Sequence, residues 1–224
     1  MPIVSVIVPC YNHGKYLKQR MESILNQTVT DFEVFILDDC STDDSWEIAQ
    51  QYTQNPKVTY VHRNEQNSGS PFIQWQKGIE RAKGKYIWLA ESDDYADNDF
   101  LLKHLAILEK DTSIGVSFCS SIWVDNQNDI LEKPDHENIG FIESGSDLIV
   151  NEFTKGCLIY NASSAIFRKK LIQSVDFQLI NSFKFTGDWL FWVQLIANTK
   201  VSRMNDRLNY FRRHTENVST KSNK

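Results

Sequence analysis

The chain has 224 residues, a formal net charge of −5, an apolar fraction of 41% and an aromatic fraction of 12%, enough for one large domain with a sizeable core. That balance rules against a disordered chain, and mild acidity argues against wholesale binding of nucleic acid. No apolar run approaches the roughly 20 residues of a membrane-spanning helix, so at most peripheral membrane association is expected.

The opening "MPIVSVIVPCYN" has no basic region before its apolar run, and Pro and Asn interrupt it. It is therefore not read as a signal peptide. Cys10, Cys40, Cys119 and Cys157 form no C-x-x-C pair, so reduced thiols in a cytoplasm are expected. The β-branched run Ile3 to Val8 predicts a buried strand. Leu17, Met21, Ile24 and Leu25 fall at helical spacing. Phe32 to Leu37 reads as a second strand. Ser41 and Asp44 read as a capping box opening a helix through Tyr52. Lys57 to His62 is a third strand, Arg63 to Pro71 a loop, Phe72 to Ala82 a helix, and "KYIWLA" a fourth strand. Leu101, Leu105 and Leu108 mark the next helix. Strand and helix thus alternate in units of about thirty residues, which predicts a parallel sheet with helices on both faces.

The second half is less regular. Ile114 to Val124 predicts a strand, Asn126 to Asp129 a turn, Ser146 to Phe153 a short helix and Ser163 to Lys169 a strand. Asp188 to Asn198 predicts an apolar helix, Arg207 to His214 a last strand, and the tail from Thr215 is polar. No repeat or clean linker divides the chain.

Ligands of such sheets sit at the carboxyl ends of the strands. Pro9 to Asn12, Asp38–Asp39 and Glu91 to Asp94 follow the first, second and fourth strands, so three polar clusters are expected on one rim. Strand ends are commonly polar, and it is the coincidence of three that points to a site. Glu91, Asp93 and Asp94 are three carboxylates within four residues, and each contact pair repels by roughly 4 kcal/mol in a partly solvated site. Were the strand to continue, Glu91 and Asp93 would share one face and Asp94 the other. A hard divalent ion is the natural counter-charge, and Mg²⁺ or Mn²⁺ takes one or two carboxylates plus substrate phosphates. Neither a G-x-G-x-x-G nor a Walker loop follows the first strand. The scattered His13, His62, His104 and His136 read as structural or surface residues, and most of the tryptophans as core.

The stretch "VSVIVPCYNHGKYLKQRMESILNQTVTDFEVFILDDCSTDDS", with the later "KGIERAKGKYIWLAESDDY", resembles glycosyltransferase family 2. The resemblance is dense from Ile3 to about Leu108, and "SSAIFRKKL", "FTGDWLFW" and "YFRRHTENVS" extend it over nearly the whole chain. It implies a GT-A fold: an α/β, Rossmann-like, mostly parallel sheet with helices on both faces and a less regular acceptor-side lobe. It implies one domain over residues 1–224, with a nucleotide-sugar-binding half at 1–95 and an acceptor-binding half at 96–224.

The resemblance also implies an inverting transferase, hexosyltransferase-like, using a nucleotide-diphospho-sugar donor, most simply a UDP-sugar. Pro9, Tyr11 and Asn12 would line base and ribose, Asp39 would accept the uracil N3–H, and Asp38 and Ser92 would be its neighbours. Asp93 would be the principal ligand of Mn²⁺ or Mg²⁺, with Asp94 beside it. Glu91 stands where the family has the first Asp of its Asp-x-Asp motif. Asp188 would be the catalytic base, alternative to a plain helix N-cap. Arg212, Arg213 and His214 would close over the diphosphate. Trp189, Ser163 and Ser164 would meet a saccharide or lipid-linked acceptor, in bacterial surface polysaccharide synthesis at the inner face of the cell membrane. The Asn67 to Gly78 loop lacks the Arg of the family's A-R-N segment. The alternatives are a sugar-nucleotide nucleotidyltransferase and a non-catalytic sugar-nucleotide-binding module.

Overall fold

Every residue from Val4 to Cys10 is buried, and this run forms β1 (Val4–Cys10) at the centre of the sheet. The computed structural model describes residues 1–131, 140–183 and 186–213. After β1 come α1 (Gly14–Leu25), β2 (Phe32–Asp38), α2 (Ser45–Gln50), β3 (Val58–Arg63), α3 (Pro71–Arg81), β4 (Tyr86–Leu89), β5 (Tyr95–Ala96), α4 (Phe100–Lys110) and β6 (Ile114–Val124). Then follow β7 (Phe141–Ser144), α5 (Gly145–Leu148) with a π turn at Ile149–Phe153, a 3-10 turn at Ala162–Ser164 and β8 (Ala165–Arg168). A 3-10 turn at Lys169–Ser174, α6 (Phe177–Asn181), α7 (Gly187–Ile196) and β9 (Lys200–Arg212) complete the order.

The described strands form one sheet in the order β3-β2-β1-β4-β8-β6-β9-β5, with β7 also on β9. β1, β2, β3 and β4 run parallel, as the alternation predicts. Beyond β4 the sheet is mixed: β8 is antiparallel to both β4 and β6, while β6 and β9 are parallel. Alternate residues of β1 point to opposite faces. Val4, Val6 and Val8 pack with Leu17, Met21 and Ile24 of α1 and Phe100 of α4. Ile7 joins the other face, with Phe72 and Trp75 of α3 and Phe191 and Trp192 of α7. Pro9 lies past the last β1–β4 pair, Ile7 with Leu89, so its missing N–H breaks no ladder bond.

Several boundaries differ from the sequence reading. The capping box does not form: the N-cap of α2 is Asp44, without a side-chain cap bond. The Ser41 hydroxyl accepts the Asn12 N–H instead, and Asp43 supplies the cap, its carboxylate accepting from Ser45 N–H and Gly14 N–H and so joining the starts of α1 and α2. β9 begins at Lys200 rather than Arg207, because its pairing with β6 jumps from Met204 to Arg207 and skips the polar Asn205–Asp206. That skip breaks the alternation a strand is read from. β5, β7 and α6 are too short to signal themselves. All four cysteines are free thiols, and among the described residues no helix is long and apolar enough to cross a membrane.

Candidate active site

β1 lies between β2 and β4, so the ends of these three strands stand side by side. The chain winds outward from β1 through β2 to β3, then returns to β4 on the other side, which makes the gap between the ends of β1 and β4 the topological switch point. The three polar clusters do gather there. Both turns are strained in the way functional turns are: Asn12 (φ 55°) and Cys40 (φ 62°) are left-handed without being glycine.

The β1 turn presents Tyr11, which is exposed, and His13. Asn12 is engaged as a clamp, its carboxamide oxygen accepting from Thr42 N–H and Thr42 Oγ1. Pro9 belongs to the strand. His13 carries information that the sequence hid: Nδ1 lies 2.8 Å from Ser92 Oγ, and Nε2 lies 3.9 Å from Asp93 Oδ2. The imidazole therefore bridges the switch point, where the scattered histidines gave no spacing to read.

At the β2 end, Asp38 turns inward. It is fully buried, accepts from Ser41 N–H and pairs with Arg63 at 3.4 Å; burial raises its pKa, with the Ser41 bonds opposing. Asp39 is the hub of the loop before α3. It accepts from the Gln74 carboxamide (2.7 Å), the Ser68 hydroxyl (2.8 Å), the Ser68 N–H and the Asn64 carboxamide, and Lys77 holds Asn64 in turn. A carboxylate has about four acceptor sites, so any further donor must share this set or displace one of its members. Beside it, His62, Arg63, Asn64, Ser68 and Lys77 line a cavity of about 350 Å³.

β4 ends at Leu89, and Glu91 to Asp94 form a turn, so the two-faced alternation of a continued strand does not apply. Asp94 is buried, its carboxylate accepting from the Asn161 carboxamide and the Ser163 hydroxyl at 2.7 Å each and from Arg212 N–H at 3.0 Å. This makes it the anchor of the turn, with most of its acceptor capacity already engaged. Ser163 Oγ also receives the Glu91 N–H. Ser164 is buried with its hydroxyl on the Asn161 carbonyl, so both serines brace the turn from within rather than face an acceptor. Asn161, which nothing in the sequence marks out, caps this 3-10 turn. Glu91 accepts from the indole N–H of Trp75 at 2.8 Å. Burial, then the neighbouring Asp93, pushes Glu91 up to about 8 and Asp94 up to about 7. Asp93 lies toward the mouth, its side chain 11% exposed beside His13. Among the described residues no three His, Cys, Asp or Glu side chains converge as a metal cage.

A raised carboxyl pKa means that the folded state holds protons the unfolded chain releases, so this turn loses stability as pH rises from the ordinary carboxylate range toward about 8. Glu91→Gln keeps the Trp75 bond and removes that penalty. Its ligand-free melting temperature exceeds the wild type's at pH 8 by about 2–4 °C per kcal/mol gained and matches it near pH 5; thermal denaturation across pH checks this.

Arg212 does not reach out over the rim. It is 1% exposed, with Nε on the Asp93 carbonyl, Nη1 on the Asp125 carbonyl, and Nη2 on Gln19 and Asn128, between the rings of Tyr16 and Tyr95. It braces the acidic turn against α1 and the end of β6. Arg212→Ala removes these hydrogen bonds and leaves the Asp93 carbonyl without its Nε donor, and costs about 1–3 kcal/mol, read as a lower urea midpoint. Arg213 packs over Trp123 and Phe211, and His214 lies outside the described residues.

Asp188 stands in the first turn of α7, whose N-cap is Thr186, so it is not the cap. It is half-buried, and burial raises its pKa, its neighbouring Trp189 N–H opposing. Phe191, one turn on along the same face, meets the Trp75 ring edge-on at 5.3 Å. Trp75 thus joins the two halves, its indole N–H on Glu91 and its ring against the helix that carries Asp188. Trp189, half-buried beside Asp188, packs against the same core.

The family model of Glycosyl transferase family 2 matches residues 5–175. The chain belongs to glycosyl transferase family 2. Membership decides against the nucleotidyltransferase alternative. Among curated relatives, the chain is 33% identical to chondroitin synthase of Escherichia coli over 58% of this chain and 19% of that one. It is 30% identical to TuaG of Bacillus subtilis, a glycosyltransferase assigned to teichuronic acid biosynthesis, over 98% of this chain and 82% of that one. Among solved structures it is similar to residues 1–349 of Staphylococcus aureus TarS in complex with UDP-GlcNAc, with a TM-score of 0.73 and 25% identity over 98% of this chain and 61% of that one. TarS is a poly(ribitol-phosphate) β-N-acetylglucosaminyltransferase. The chain thus spans only a fraction of the chondroitin synthase and under two thirds of the TarS fragment. The match places the sheet, parallel half and mixed half together, in the GT-A class of TarS.

Proposed function

We propose that this chain moves a sugar from a UDP-sugar to an acceptor hydroxyl with inversion at the anomeric carbon. The observation that carries the reading is the arrangement around Trp75: an acidic turn at the switch point on one side and the burial-raised Asp188 on the other. Similarity to UDP-GlcNAc-bound TarS supports a uridine donor. In this reading Tyr11 and the Asp39 hub face the base, and His13, Ser92 and Asp93 the diphosphate. Residues 1–95 form the donor half, and the remainder, with Asp188 and Trp189, the acceptor half.

The residues fit a divalent ion that the donor completes. Asp93, with Glu91 near it, would supply the one or two carboxylates that Mn²⁺ or Mg²⁺ takes beside substrate phosphates. Such an ion, when bound, neutralises charge on the departing diphosphate. Asp188 takes the proton of the acceptor hydroxyl as its oxygen bonds to the anomeric carbon, and the bond from that carbon to the diphosphate oxygen breaks with its electron pair leaving on UDP. One base suffices, unlike the paired carboxylates of a glycosidase. The acceptor is a saccharide or a lipid-linked saccharide, in bacterial surface polysaccharide synthesis on the cytoplasmic side of the membrane. Incubation with a panel of UDP-sugars, Mn²⁺ and oligosaccharide acceptors releases UDP and gives a product of inverted configuration by NMR. UDP binding without turnover of any UDP-sugar, even by hydrolysis, would instead support the non-catalytic binder.

A further inference from the structure

Arg20 is fully buried on α1, and none of its Nε, Nη1 and Nη2 atoms has a hydrogen-bond partner. Its guanidinium lies 4.7 Å over the ring of Trp88 in β4. The charges that act on it are those of Asp94, Glu91 and Asp93; burial lowers its pKa to about 10, which leaves it cationic at neutral pH. Trp88 is pinned from the other side, its indole N–H donating to the carbonyl of Ser163, the same serine that grips Asp94 and the Glu91 N–H. The stacked cation therefore sits beneath the acidic turn.

A buried guanidinium without hydrogen bonds is a poor way to fill space, since a hydrophobe of similar volume packs as well without the desolvation penalty. Arg212 contrasts with it, because its guanidinium is held by named acceptors and its loss is a loss of hydrogen bonds. What Arg20 offers is charge at a fixed place, opposite three carboxylates that repel one another. We infer that Arg20 is a positioning residue, the internal counter-cation that holds Glu91, Asp93 and Asp94 in the arrangement a nucleotide diphosphate and its cation require; this rests on the donor-site reading above.

The test compares Arg20→Met, which keeps shape, with Arg20→Lys, which keeps charge, by calorimetric titration of UDP in Mn²⁺ and by urea denaturation. Arg20→Met lowers the urea midpoint, because the acidic turn loses its counter-charge, and binds UDP at least about tenfold more weakly, and Arg20→Lys recovers the midpoint and brings binding to within about threefold. A folded Arg20→Met with wild-type affinity, or an Arg20→Lys no better than Arg20→Met, overturns the inference. Asp93→Asn added to Arg20→Met restores the urea midpoint, or folding should Arg20→Met fail to fold, if the lesion is unbalanced charge; no restoration means lost packing and also overturns it. Failure of the wild type to bind UDP would sink the donor reading, and the charge-balance arm, read on stability alone, still decides for or against Arg20 as counter-cation.

Discussion

Asp188→Asn lowers kcat by about 10²–10⁴-fold, leaves UDP affinity unchanged and does not lower the urea midpoint. The side chains are isosteric, and the Asn carbonyl oxygen still accepts the Trp189 N–H that Asp188 accepts. Only the proton acceptor is lost. Burial already raises the pKa of Asp188, so the wild-type base is ionised above that raised value, and kcat falls as pH drops through it. The acid limb of the pH–rate profile therefore lies above the ordinary aspartate range, and the Asn variant lacks it. Steady-state UDP release across pH measures both effects. An Asn variant with wild-type kcat would remove Asp188 from the chemistry, and one that also lost UDP affinity would assign it to donor binding.

Asp93→Asn has the second large effect, of the opposite physical kind. It removes the charge that raises both Glu91 and Asp94, so the ligand-free fold becomes more stable and these two carboxyls titrate at lower pH. The Asp93 carbonyl that holds Arg212 Nε is main chain and persists. The variant nevertheless loses the carboxylate nearest the mouth, beside His13. Dependence of transfer on Mn²⁺ weakens, and kcat/KM falls by about 10²-fold or more, as expected when charge on a leaving group goes unneutralised. A folded, more stable and inactive protein is the signature, in contrast to Arg212→Ala, which lowers stability. A metal titration of turnover, set beside urea denaturation, separates the two.

The first half of the fold was legible because each signal there is local. β1 is a run of buried β-branched residues, α1 and α4 show helical periodicity, and each strand ends in a polar turn, so the convergence at the switch point follows once the sheet is parallel. The second half was less legible because its order depends on non-local pairing: β8 inserts between β4 and β6, and β9 skips two polar residues to stay in register with β6. Within the site, residue types were readable and their commitments were not. Asp94, Ser163, Asn12 and Arg212 carry the right chemistry for ligands, yet each is engaged in holding two turns together, and such partners lie 30 to 193 positions apart in the chain. His13 and Arg20 failed to announce themselves for the same reason. Each acts on the acidic turn across about the same long separation, His13 meeting Ser92 79 positions away, and nothing in their own neighbourhood marks them.

The claim on which the account stands is that the gap between the ends of β1 and β4 receives a uridine diphosphate together with a divalent ion. Calorimetric titration of UDP into the wild-type chain, in Mn²⁺ and again in chelator, tests it most directly, with ADP and GDP as controls. The account predicts saturable one-site binding of UDP in Mn²⁺, much weaker binding in chelator and none of comparable strength for ADP or GDP. Equal binding of the three nucleotides, or binding of UDP unaffected by the chelator, would contradict it.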